Sequence, residues 1–322
     1  MIIIKYKGGL GNQMFQYAMS LAIEKKYPEQ QVMADISHYL LLNEHNGYEL
    51  EKVWGIHLSA ASKKQLKKVS PYYYPSTVVL KMPEAIRRII AGNLQYKYKE
   101  KKLQKSDDIR GCYYKQSSHC SYEEEIWNLA ESGDWYLDGL WQNVEYFKEV
   151  SKEIRQAFCF NNEAEYTHQD LKWKAQIQGT NSISVHIRRG DFQNSKFDIC
   201  GPEYYRNAMK VIENKIRAQG EDLTDKKYFF FTDDVEYTKE AFKDIPEKDK
   251  EIIHHETGSS ILDMELMSLC RHHIISNSTF AWWAAWLDEN PEAVTVAPML
   301  SVRKPDQSYP LSAPDKWILL EV

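Results

Sequence analysis

Two adjacent arginines, Arg188 and Arg189, followed by Gly190 and Asp191, close the run S-I-S-V-H-I-R-R-G-D from Ser182 to Asp191. A guanidinium fork matches phosphate oxygens two at a time. The run therefore predicts a site for an anionic group, a diphosphate above all. Two further motifs offer related chemistry. Asp233-Asp234 ends the apolar stretch F-F-F-T-D-D, and Ser278-Thr279 stands in I-S-N-S-T-F ahead of an apolar segment. A hydroxyl at that place caps a helix, and the free N–H groups of a helix start favour anions. Each motif also has a plainer reading: an Arg–Asp salt bridge at a strand end, a pair of loop-capping aspartates, and an ordinary helix cap.

What brings the motifs together is the pattern of elements around them. Ile183–Arg188 alternates and is β-branched, as a buried strand is. A helix follows from Pro202 to Ala218, then strand Tyr228–Thr232, a helix over Glu236–Phe242 and strand Glu251–His254. Helix Ser260–Arg271, strand His273–Ser276, helix Phe280–Asp288 and strand Ala293–Ala297 complete the half. Such alternation implies a parallel, doubly wound sheet. Its strands all present their carboxyl ends on one edge, where ligands bind. The arginines, the aspartates and S-N-S-T then share that edge.

The first half opens in the same way. Strand Ile2–Tyr6 leads into a glycine turn, Gly8 to Gln13, and a helix from near Met14 with apolar Phe15, Ala18, Met19, Ala22 and Ile23 at helical spacing. Strand Gln31–Ile36 follows, the start of a Rossmann-like half. A strand over Trp135–Trp141 and a helix over Val144–Phe158 close it, and polar Asn161–Asp170 reads as the connection between domains. The 322 residues thus divide into domains at 1–160 and 170–322. Between Ala60 and Lys105 twelve Lys/Arg stand against two glutamates, interleaved with tyrosines, and mark a basic insertion. Apolar Ile86, Ile89 and Ile90 beside Arg87 and Arg88 suit contact with an anionic membrane; the plainer reading is a solvated face.

Composition sets the outer bounds. With 43% hydrophobic and 27% charged residues the chain is an ordinary globular protein, and its net charge of −5 argues against general nucleic-acid binding. No apolar run reaches the ~20 residues of a spanning helix. Five cysteines without a C-x-x-C pair read as reduced thiols. The expected location is cytoplasmic, or peripheral at the inner face of the membrane.

The motifs G-G-L-G-N-Q-M-F-Q-Y-A (Gly8–Ala18), H-I-R-R-G-D (His186–Asp191), F-F-F-T-D-D (Phe229–Asp234) and I-S-N-S-T-F-A-W-W-A-A-W (Ile275–Trp286) resemble those of the α-1,2-fucosyltransferases of glycosyltransferase family 11. They occur in the family's order and span nearly the whole chain. The resemblance implies a GT-B-like α/β fold, two Rossmann-like domains facing across a cleft. It implies GDP-β-L-fucose as donor, an inverting transfer to O2 of a terminal β-galactoside of an oligosaccharide or lipid-linked glycan, and no metal.

By the same resemblance Arg188 holds the donor β-phosphate and neutralises the leaving GDP, and Arg189 shapes the loop or adds to that field. His186 lies near guanine or phosphate, Asp263 accepts from guanine, and Ser278 and Thr279 contact phosphate. Asn12 faces the donor phosphate or the acceptor, with Gly9 and Gly11 allowing close backbone approach. Asp233 belongs to the donor-side set. Asp191 is the first candidate for the base that takes the acceptor proton, with orientation of an arginine as its other role. Lys196 stands where the α-1,6 relatives carry a glutamate, so that assignment does not transfer.

Other classes compete. A dehydrogenase would use Gly9 and Gly11 with Asp35, but G-x-G-x-x-G would need glycine where Met14 stands. Asp233-Asp234 would suit a metal-dependent GT-A enzyme. His254-His255 and His272-His273 would suggest zinc, but neighbours on a strand face opposite ways. Trp282, Trp283 and Trp286 offer a sugar platform or, at helical spacing, a core. A fucosyltransferase of another linkage, or a non-catalytic nucleotide-sugar or glycan binder, remains the alternative.

Overall fold

A computed structural model describes residues 1–41, 45–70, 77–89, 112–161, 166–220, 222–255, 260–303 and 308–322. The chain forms two compact units, Met1–Cys159 and Phe160–Val322. Each is an α/β body on a parallel sheet, the Rossmann-like organisation expected of each half.

In the first unit, β1 (Ile2–Lys5), β2 (Val32–Asp35), β3 (Cys112–Lys115) and β4 (Trp135–Asp138) lie in the order β2-β1-β4-β3, all parallel. The continuous apolar run I-I-I makes β1 a central strand buried on both faces. The following helix starts at Leu10, four residues before the expected Met14, and runs to Lys26. Gly8 makes the turn at φ +81°, and Gly9, in extended conformation, caps the helix. Gly11 therefore lies inside the first helical turn, not in a loop. Burial of Leu10, Met14 and Phe15 outweighs the poor helix propensity of that glycine.

Three further expectations change here. The strand expected over Trp135–Trp141 ends at Asp138, because the chain turns through Gly139 to Trp141 at φ +55°. A side chain at Gly139 would sit 2.6 Å from the Trp141 ring. The helix expected over Val144–Phe158 is two 3₁₀ turns, Val144–Tyr146 and Lys148–Val150, then an α-helix, Ser151–Ala157. The break falls at Phe147, whose ring is buried 5.9 Å from Phe15. The basic insertion is partly core: Lys63–Val69 is a helix with a Ser62–Gln65 capping box, and its Leu66 and Val69 pack on Ile3, Met33 and Tyr136. The lysines of that helix are exposed, as are Val78, Ile86 and Ile89. Tyr72–Tyr74, Ile90, Tyr96 and Tyr98 lie outside the described residues.

The second unit carries β5 (Asn181–Ile187), β6 (Lys226–Thr232), β7 (Lys250–Ile253), β8 (His272–Ile274), β9 (Thr295–Pro298) and β12 (Ile318–Leu320), with β10 (Leu300–Arg303) and β11 (Ser308–Pro310) as a separate antiparallel pair. The six-stranded order is β12-β9-β8-β5-β6-β7, all parallel. Counted in sheet sequence this is the 3-2-1-4-5-6 order of a doubly wound fold, with its switch point between β5 and β8. The helix at Pro202–Ala218 stands as expected, with proline in its first turn and Tyr204, Tyr205, Ala208, Ile212 and Ile216 buried. The expected linker hides a helix, His168–Gln178, opened by a reciprocal Thr167–Asp170 capping box. Trp282, Trp283 and Trp286 are buried with Trp317, as core. No helix among the described residues is long and apolar enough to cross a membrane.

Candidate active site

The site in the second unit is built at the carboxyl ends of β5, β6 and β8. β5 delivers Arg188 one residue past its last paired position. There Arg188 donates from Nε and Nη2 to Asp191 Oδ1 at 2.9 and 2.8 Å, and from Nη1 to Asp233 Oδ2 at 2.9 Å. The Phe192 ring lies 5.8 Å below the guanidinium and stacks on Phe197. Asp233 is itself fixed: its Oδ1 accepts from the Arg189 amide at 2.7 Å. The sharp bend at Arg189 needs glycine next, since a Cβ on Gly190 would stand 2.8 Å from Asp233 Oδ2.

The two arginines part company. Arg189 stacks on Tyr237, 4.2 Å from the ring, and pairs with Asp198 at 3.2 Å. Both contacts hold its side chain against the protein rather than beside that of Arg188. Asp234 likewise departs from its neighbour. It caps the Val235–Ala241 helix by accepting from the Tyr237 amide. Protein donors thus occupy both aspartates of the pair that a GT-A reading would give to a metal.

Across the switch point, His186 Nδ1 meets Ser276 Oγ at 2.9 Å, and the Ser278 amide donates to the same hydroxyl. His186 is 7% exposed. Burial, with Arg188 nearby, pulls its pKa down to about 3, so the imidazole is neutral at physiological pH. It can orient the Ser276–Ser278 loop but adds no positive charge. Ser278 caps the Thr279–Leu287 helix, accepting from the Phe280 amide at 3.3 Å. Asn277 anchors that turn, its amide donating to the carbonyls of Phe197 and Ser301. Thr279 opens the helix, half-buried. Arginine and helix start therefore stand on adjoining strand ends, the arrangement an anion needs.

Asp263, in the first turn of the Ser260–Ser268 helix, is held by a residue the sequence did not single out for it. His255 meets Asp263 Oδ1 at 2.7 Å through Nδ1 and Asp170 Oδ1 at 2.6 Å through Nε2. Asp263 first, with Asp170 and against burial, raises the His255 pKa to about 9. The signal lay in the T-H-Q-D capping box, which places Asp170 in a helix. The other histidine pair is structural: His273 bridges Ser184 and Asp288 at 2.9 Å each, and His272 accepts from the Val294 amide. The Ser–His–Asp order resembles a hydrolytic triad, but Ser184 and His273 are wholly buried between β5 and β8.

In the first unit Asn12 lies in the opening turn of the Leu10 helix, where its Oδ1 accepts from Gln142 Nε2 at 2.7 Å. Gly8 lacks a Cβ where the Asn12 amide packs, and any Cβ there would collide with Asn12 Nδ2. Gly8 is thus the glycine against which Asn12 packs, while Gly9 caps the helix and Gly11 lies in its first turn. Gln13 and Gln16, also unassigned by sequence, are buried knots. Gln13 ties Gly8, Gly47 and Glu49, and Gln16 ties both backbone groups of Lys7 to the Gly139 carbonyl. Their spacing of three, on the buried side of a helix, was the available clue. Asp35 accepts from Tyr136 and the Ser37 amide, which removes the ribose-binding acid of a dehydrogenase.

Residues 1–309 match the family model described as glycosyl transferase family 11. An alpha-1,2-colitosyltransferase of Escherichia coli is 28% identical, over 99% of each chain. The O-antigen biosynthesis glycosyltransferase WbnK of Escherichia coli is 27% identical, over 90% of this chain and 91% of its own. Among solved structures, fucosyltransferase NodZ from Bradyrhizobium aligns at a TM-score of 0.43 with 15% identity, covering 88% of this chain and 91% of that one.

Proposed function

The chain belongs to glycosyl transferase family 11, and we propose that it moves L-fucose from GDP-β-L-fucose to O2 of a terminal β-galactoside, with inversion and without a metal. The observation that carries this reading is Arg188 at the end of β5, beside a capped helix start on the adjoining β8. As the bond from sugar C1 to phosphate oxygen breaks, the leaving GDP gains negative charge, and Arg188 neutralises it where that charge develops. The Thr279 amide and the hydroxyls of Ser278 and Thr279 take the other side of the diphosphate. The acceptor O2 attacks C1 from the opposite face, and Asp191 takes its proton. Asp263 accepts from guanine, and Asn12 contacts donor or acceptor from the first unit.

The α-1,2 linkage is supported by the name of the colitosyltransferase relative. That name also favours a second reading, transfer of colitose through the same linkage. Incubation with lactose in EDTA, using GDP-fucose and GDP-colitose in parallel, separates the two. The proposal expects a 2-O-fucosylated product from the first donor. Product from GDP-colitose alone selects the second reading, and a different linkage removes the α-1,2 assignment. Exposed Val78, Ile86 and Ile89 favour, within the same proposal, peripheral contact with an anionic membrane. Failure to bind anionic liposomes at low salt removes that part.

A further inference from the structure

The guanidinium of Arg188 is bracketed by two carboxylates on all three of its nitrogens. One positive charge facing two negative ones does not attract a diphosphate. Three of the five N–H donors of Arg188 are taken, and a phosphate approaching the other two would meet both carboxylates, so withdrawal of one favours binding, and the geometry distinguishes which. Asp233 is anchored through both oxygens, one on the Arg189 amide and one on Arg188, in a place kept open by Gly190. Asp191 holds Arg188 through Oδ1 from the short 3₁₀ turn Gly190–Phe192, at i,i+3, with its side chain 48% exposed. Moving Asp191 requires only a rotamer change in water; moving Asp233 would undo the bend at Arg189.

We infer that donor binding exchanges Asp191 for phosphate on Arg188 while Asp233 stays and positions the guanidinium. The inference rests on the proposed role of Arg188 toward the diphosphate. It adds an order of events. In the free protein Asp191 is spent on the arginine. Once phosphate takes its place, the carboxylate becomes free to accept a proton, so proton acceptance is coupled to an occupied donor site. Asp191 then competes with the donor in the ground state and serves the reaction afterwards, whereas Asp233 is a positioning residue throughout.

The exchange predicts opposite signs for two isosteric substitutions. GDP is titrated by calorimetry into the full chain, wild type, Asp191→Asn, Asp191→Ser and Asp233→Asn. Loss of the competing charge at Asp191 should tighten GDP about five-fold while acceptor-dependent turnover falls. Loss of the fixed partner at Asp233 should weaken GDP about ten-fold or more. Two variants at the exposed position 191 guard against an effect of one side chain. If GDP binds wild type but both Asp191 variants bind it no more tightly, the exchange is overturned while the donor site stands. If wild type itself does not bind GDP, the reading of Arg188 falls and the exchange falls with it.

Discussion

Both units gather lysine or arginine with aspartate at the carboxyl ends of parallel strands, yet the two clusters differ in kind. In the first, Asp138 at the end of β4 is 2% exposed and binds Lys5 and Lys7 from β1 and its turn, at 3.5 and 2.7 Å, with Tyr113 on the same carboxylate. Burial pulls Lys5 below the usual lysine range although Asp138 opposes it. In the second, Arg188 is 32% exposed and its partners Asp191 and Asp233 are 48% and 27% exposed. The same residue types at the same topological place therefore do different work. The closed cluster ties strand ends together, whereas the open one can trade a protein carboxylate for a ligand's phosphate.

Substitutions sharpen that contrast. The largest expected effect is at the open cluster. Arg188→Ala should lower kcat/KM for acceptor-dependent GDP release about 10²–10³-fold with the thermal midpoint little changed. Equal activity in the variant would break the comparison. At the closed cluster, Asp138→Ala removes the carboxylate that most opposes the burial of Lys5 and that pairs with Lys7. Removal of one partner of a buried pair costs about 3 kcal/mol or more, so the expected result is a clear loss of thermal stability. Stability unchanged on denaturant unfolding would show that the cluster is not structural.

A smaller effect separates His255 from both clusters. Its pKa is raised in the fold to about 9, above the ordinary 6.5. The stabilisation is therefore complete below pH 6.5 and lost as pH rises through about 9. The thermal midpoint should fall by about 5 °C across that window, and His255→Gln should remove most of that slope. A wild-type midpoint flat between those pH values would contradict the Asp170–His255–Asp263 bridge.

Where residues near in sequence act together, the sequence was legible. Periodicity and a proline start placed the Pro202–Ala218 helix at its observed bounds, and alternation placed the central strand that carries Arg188. Features set by distant partners were not legible. Asp233 meets the Arg189 amide across 44 residues, and His255 meets Asp170 across 85. The strands Cys112–Lys115 and Ile318–Leu320 are too short for alternation to stand out, and pairing defines them. The early start of the first long helix escaped because glycine at position 11 argues locally against a helix that tertiary burial then imposes.

The central claim is that a donor diphosphate binds at the open end of β5 through Arg188. A crystal structure of the full chain with GDP tests it most directly. Binding at the end of β5 places the β-phosphate within hydrogen-bond distance of Arg188, with Asp233 still on that guanidinium and Asp191 turned away. GDP seated away from the end of β5, or bound there without touching Arg188, would contradict it.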